Sequence, residues 1–274
     1  MSGRARRAAG GAAGALLALA LAAGARGATT ATMTARFTPD RLGASTSVTV
    51  TMAFTGDAGS LPAPVSQIVV HTPAGMGVST AGLQACPIAR LEANDPSACP
   101  ADTLIGWGTT SVAALLGASD FNETAQLGAY LGLPQDGRTV VNFFAVGRTP
   151  VQESVLFDGV LEGDVAPYGD ELVVTVPAIS TVPGGPNASV VSFTTTLGAP
   201  NIQFPQTVVR RVVVVEHVGG RVRRVTRLLK RRELEPVKGI TVPRACPAGG
   251  FPFAADFTFQ DGTTYTALAT VPCP

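Results

Sequence analysis

Histidine, large aromatics and charge are all scarce in this 274-residue chain. It has two His, one Trp and three Tyr, and Asp, Glu, Lys and Arg make up 14% of its residues. With so little histidine, nucleophilic triads that need a positioned imidazole base have almost no material. His71 and His217 each lie in a strand-like stretch without an obvious partner nearby in sequence, so packed or solvated roles are expected. No G-x-S-x-G elbow, H-E-x-x-H helix, Walker loop or dinucleotide fingerprint is present. Sugar-stacking platforms usually draw on exposed aromatics. The single Trp, Trp107, follows Cys99 closely and is expected to pack over a disulfide or the sheet.

What is present begins with Arg4, Arg6 and Arg7, followed by a Gly/Ala/Leu run over Ala8–Ala25. Small residues then offer cleavage after Ala25 or Gly27. This is the layout of a secretory signal peptide over residues 1–27. Its apolar run is short and diluted for a bilayer span, so cleavage is expected rather than a permanent membrane anchor. The anticipated location is secreted, extracellular. Cys86, Cys99, Cys246 and Cys273 are the four cysteines. An even count in an exported chain reads as a disulfide framework with three possible connectivities. Sequence proximity favours Cys86–Cys99 with Cys246–Cys273, and neither spacing has the tight C-x2-C knuckle of a zinc site.

Beyond residue 28 the apolar residues alternate or come in short Val/Thr-rich runs, bounded by Gly, Pro, Asn and Asp. About a dozen strands are predicted, beginning with the alternation Ser47–Phe54 and ending with Thr264–Val271. The Asp-Gly dipeptides at 136–137 and 261–262 are hairpin signals. The expected fold is all-β, an elaborated antiparallel β-sandwich over 28–274. Two β units split near 183–186 are the alternative.

Charge is unevenly spread. Eleven of the twenty Lys and Arg fall between Gln206 and Arg244, opposed there only by Glu216, Glu233 and Glu235. Val212–Val215 reads as a strand and Gly219-Gly220 as a turn. After it Val222, Val225, Leu228 and Leu229 recur at helical spacing, so a hairpin arm running into an irregular or helical turn is expected. Arg221, Arg223, Arg224, Arg227, Lys230, Arg231 and Arg232 are the candidate polyanion-binding residues, suited to an anionic cell-wall polymer or envelope component. The competing role is a solvated edge hairpin whose charges block aggregation. Sequence-specific nucleic-acid recognition does not fit an exported chain.

Carboxylates crowd around Asp158, Glu162 and Asp164, with Glu153, Asp170 and Glu171 nearby. The plain expectation is a solvated loop between strands. Calcium binding and a glycosidase pair are weaker alternatives, because the spacing matches no EF-hand loop or catalytic rule. No cofactor other than that Ca2+ is expected.

Several segments together carry a resemblance. They are Phe37-Thr38-Pro39-Asp40-Arg41-Leu42-Gly43-Ala44, Cys99-Pro100 into Ile105-Gly106-Trp107-Gly108, and Val182-Pro183-Gly184-Gly185-Pro186. The C-terminal block Cys246–Phe253, through Asp261-Gly262-Thr263 to Cys273-Pro274, is the most distinctive. The chain resembles a group of uncharacterised secreted proteins of GC-rich Gram-positive (actinobacterial) bacteria. That resemblance implies export and a β-rich, disulfide-containing domain, and it transfers no catalytic residue. The Arg-dense stretch is longer than the pattern of that group. An exported, non-enzymatic binding or structural module of the cell envelope is the expectation, with a secreted carbohydrate-active hydrolase as the alternative.

Overall fold

The computed structural model describes residues 29–274 apart from 58–59, 95, 117–118, 148–152, 181–185 and 199–201. The expected signal peptide lies outside the described residues. The chain is nearly all antiparallel β. Its strands are β1 (Thr30–Thr38), β2 (Ser45–Thr55), β3 (Val65–Pro73), β4 (Gly77–Ser79), β5 (Leu104–Leu116), β6 (Ser119–Leu131), β7 (Val140–Gly147) and β8 (Glu153–Gly163). They continue with β9 (Tyr168–Thr175), β10 (Ser189–Leu197), β11 (Gln203–Val218), β12 (Arg221–Pro236), β13 (Gly239–Thr241), β14 (Phe251–Phe259) and β15 (Thr264–Val271). One short helix, α1 (Ile88–Asn94), was not anticipated.

A single sheet runs β15-β14-β3-β9-β8-β7-β6-β5-β10-β2, and β2 then pairs with β1 and, at its start, with β13. Strands from before and after residues 183–186 interleave: β10 lies between β2 and β5, and β14 pairs with β3. The sheet curls until its ends face each other, giving a sandwich built from one continuous sheet. Period-two alternation makes this possible. In β2, Val48, Val50, Met52 and Phe54 point inward, and in β14 Phe251, Phe253, Phe257 and Phe259 do the same. Phe37 meets Phe251 and Phe253 at ring centroids of 5.5 and 5.7 Å, and Phe54 meets Phe257 at 5.0 Å. Edge-to-face aromatic packing closes the curl.

The outward positions of the same strands are hydroxyl-rich. Thr34, Thr51, Thr194 and Thr109 form one cross-strand row, with the Thr194 hydroxyl donating to Thr51 at 3.2 Å. One face to the core and one to water is what produces the alternation read in the sequence. The Asp-Gly turns form as expected, with positive φ at Asp136, Gly137 and Gly262.

Both cysteine pairs favoured by proximity sit at disulfide distance, with Cα separations of 5.5 Å for Cys86–Cys99 and 5.9 Å for Cys246–Cys273. The first belongs to a small second core, where Cys86, Leu91 and Tyr130 pack with Phe144 and Leu156 outside the sheet. Buried Asn142 ties that layer down by donating to the Cys86 carbonyl at 2.9 Å. The disulfides are consistent with an extracellular protein, and no helix among the described residues is long and apolar enough to cross a membrane.

Candidate functional site

The basic segment corrects the helical expectation. Residues Arg221–Pro236 are one continuous strand, paired over sixteen residues with β11 from Val218↔Arg221 to Gln203↔Pro236. Gly219 and Gly220, both at positive φ with open space around them, make the two-residue turn. Val222 and Leu228 project to one face and Val225 and Leu229 to the other, so the threes-and-fours spacing does not describe a stripe. The Val-rich partner strand decides the conformation, because strand pairing overrides a weak local helical pattern. At about 3.3 Å per residue the arm is about 50 Å long. It forms a two-stranded sheet of its own, separate from the main sheet.

Register divides its charges unequally. On one face Arg227 pairs with Glu216, and Arg210 with Glu233 at 2.9 Å. The opposite face carries Arg211, Arg224, Lys230 and Arg232, and among the described residues no carboxylate stands there. Of the residues singled out in the sequence, Arg221, Arg223, Arg227 and Arg231 therefore share the face with the glutamates, while Arg224, Lys230 and Arg232 share the purely cationic one. Arg210 and Arg211 belong with the arm and were not among those candidates.

A second cluster brings together His71, Asp164 and Glu171, residues that the sequence singles out separately without placing them in one site. His71 in β3 is not without partners: its Nδ1 lies 2.7 Å from Asp164 and 3.6 Å from Glu171, and its Nε2 lies 3.1 Å from Asp256. The Thr266 hydroxyl donates to the other oxygen of Asp256, and the Val165 N–H donates to Asp164 at 2.6 Å. The Tyr168 ring packs against the imidazole, with centroids 5.1 Å apart. Burial lowers the His71 pKa, but the hydrogen bonds and charges of Asp164 and Asp256 outweigh it and leave the pKa raised above 6.5. The ligand atoms of His71, Asp164 and Glu171 lie within 4.8 Å of one another, a donor set that a divalent cation can take. As an imidazolium, His71 supplies the neutralising charge itself.

A folded-state pKa above the unfolded value favours the fold at low pH, and this contribution is lost as pH rises through the folded pKa. The thermal midpoint of the wild-type protein is expected to fall between pH 6 and 9 more steeply than that of His71→Gln. Parallel curves for the two would remove His71 as the source.

The carboxylate stretch is corrected as well. The alternation over Ser154–Leu161 predicts a strand, and that strand forms as β8 (Glu153–Gly163), so Asp158 and Glu162 stand on a strand and only Asp164 lies in the loop that follows. Asp158 pairs across from Asn142 and lies four residues from Glu162, about 13 Å along an extended strand. Glu162 is held by Arg138, and Asp164 turns to His71. Asp158, Glu162 and Asp164 thus form no common calcium shell. Trp107 is 55% exposed on β5, with Gly128 and Thr196 as its partners across the sheet.

Inside the curled sheet are two apolar cavities of about 130 and 110 Å3, walled by side chains such as Val50, Val70, Phe143 and Leu172. Glu123 and Glu153 sit on the wall of the larger one. The Glu123 Oε1 is buried without a partner, and burial together with the Glu153 charge raises its pKa. Ionised Glu123 therefore costs stability once pH exceeds the unfolded carboxyl pKa. Glu123→Gln is expected to raise the thermal midpoint at pH 7, with the gain shrinking toward pH 4. An unchanged or lower midpoint at pH 7 would contradict this.

Comparison with known proteins gives no match. No family model, no curated protein and no solved structure is similar to this chain. The residues themselves carry the functional argument. Among the described residues, the charge-segregated arm and the His71 cluster are the groups of charged side chains best placed to meet a ligand.

Proposed function

We propose that this is an exported, non-enzymatic module that attaches to an anionic component of the cell envelope through the β11–β12 arm. The observation that carries the reading is the row of Arg211, Arg224, Lys230 and Arg232 on a face without carboxylates. Charges meant only to deter edge pairing, or to pair within the molecule, need no such segregation. Polyanion attachment does, because glutamates among the contacting cations would repel the partner. The sixteen acidic residues outside the arm segment argue the same way, since a like-charged body is held off an anionic surface while the arm reaches it. The leader-like N-terminus and the two disulfides support export.

The test is co-sedimentation of the protein with isolated actinobacterial cell envelopes across a salt series. Binding that weakens steeply with salt is expected, because exposed charge contacts are screened. Salt-resistant binding would replace the arm by a glycan or protein receptor, and absence of binding would end the envelope reading.

A further inference from the structure

The cationic face of the arm also carries aliphatic side chains. Val209, Val213, Val215, Val222, Leu228 and Leu234 project from it by register, between Arg211, Arg224, Lys230 and Arg232. All six are at least half exposed, and Leu228 and Leu234 reach 65% and 66%. A soluble phosphate polymer or wall polyanion is served by the cations alone. Six aliphatic side chains left in water add nothing to that contact and cost solubility. An anionic lipid surface uses both kinds of residue. Cations meet the headgroup phosphates, while branched side chains between them enter the boundary of the acyl region, and long Arg and Lys side chains can extend outward to keep their charges wet.

We infer that this face of the β11–β12 arm docks on the surface of an anionic lipid bilayer. The inference rests on the proposed envelope attachment and names its partner. The arm lies along the membrane with the face holding Glu216 and Glu233 turned away. Attraction between cations and anionic lipid selects this face over the opposite one, where two of the arginines are already paired. A second copy of the same face is the poorer occupant, because it would bring two rows of Arg and Lys together.

The experiment uses the purified protein with phosphatidylcholine vesicles, with and without phosphatidylglycerol, and inorganic polyphosphate as a soluble polyanion. Leu228→Trp in a Trp107→Phe background reports the environment of the face by its emission. Binding to the phosphatidylglycerol vesicles with a blue shift of that emission is expected, and no binding to pure phosphatidylcholine. The double variant Val213→Ser, Leu228→Ser keeps every charge. It is expected to lose at least about tenfold in vesicle affinity while binding polyphosphate as the wild type does. Equal vesicle binding by this variant, or binding without a blue shift, overturns the bilayer inference and leaves attachment to a polyanion standing. Failure to bind envelopes, vesicles and polyphosphate alike overturns both. A dimer in sedimentation equilibrium that the serine variant dissociates, with vesicle binding unchanged, assigns the face to a second copy and overturns the lipid inference.

Discussion

Reversing the charge of Arg224 and Arg232 is expected to abolish the proposed attachment to anionic envelopes. Both side chains stand on the carboxylate-free face, so neither substitution breaks the Arg227–Glu216 or Arg210–Glu233 pair. Each cation near an anionic surface contributes about 1 kcal/mol. Replacing two of them by glutamate changes four charges and costs about 4 kcal/mol, close to a thousandfold in affinity. The matched control is Arg223→Glu with Arg231→Glu on the other face, which leaves the same two pairs intact and where the expected loss is far smaller. Equal losses for the two pairs, measured by co-sedimentation at one low salt concentration, would show that only net charge matters and that the faces do not differ. Circular dichroism of both double variants guards against a general loss of structure. The arm is not part of the main sheet, so none is expected.

Phe257→Ala is expected to destabilise the fold by about 3–5 kcal/mol, the range for truncating a fully buried Phe. Phe257 is 1% exposed and its ring meets Phe54 of β2 edge-on. These two strands lie at opposite ends of the sheet path, so the contact exists only because the sheet curls over. The magnitude tests burial, and the coupling tests closure. In a cycle of Phe54→Ala, Phe257→Ala and the double variant, an interaction energy of about 0.5–3 kcal/mol is expected from denaturant unfolding. Strict additivity would mean that the two ends do not pack on each other.

Much of the body was legible in the sequence because one face of an antiparallel sheet must be buried. Thr264–Val271 has the bounds its alternation predicts, and Ser47–Phe54 falls within β2. Strand β1 escaped notice because Thr30–Thr38 alternates threonine with small residues such as Ala31 and Ala35, a weak hydrophobic signal. Strand β12 was misread for a different reason. Val222, Val225, Leu228 and Leu229 fit a helix locally, and only the pairing with β11 assigns them to two faces. The same register separates Glu216 and Glu233 from Arg211 and Arg224, a division that composition along the chain does not contain.

The His71 cluster lay further out of reach. Its partners Asp164 and Asp256 are 93 and 185 residues away along the chain, brought together by β9 and β14 flanking β3. The carboxylates near Asp158 suggested a site by being close in sequence, yet extension along β8 sets Asp158 and Glu162 about 13 Å apart, and Asp164 lies past the strand's end. Proximity in sequence was a good guide for the cysteines. It failed for charged residues on strands, whose neighbours are set by pairing.

If the arm is the attachment device, shortening it removes binding while the body stays folded. Thr207 pairs with Arg232, so removing Thr207–Arg232 and joining Gln206 to Glu233 through Asn-Gly leaves the base of the hairpin in register. This deletion takes away nine Lys and Arg together with Glu216 and leaves the body intact. Envelope co-sedimentation of the shortened and full-length proteins, compared across a salt series, is the measurement. Strong, steeply salt-dependent binding is expected for the full arm and near-background, salt-insensitive binding for the shortened one. Equal sedimentation of the two would contradict attachment through the arm.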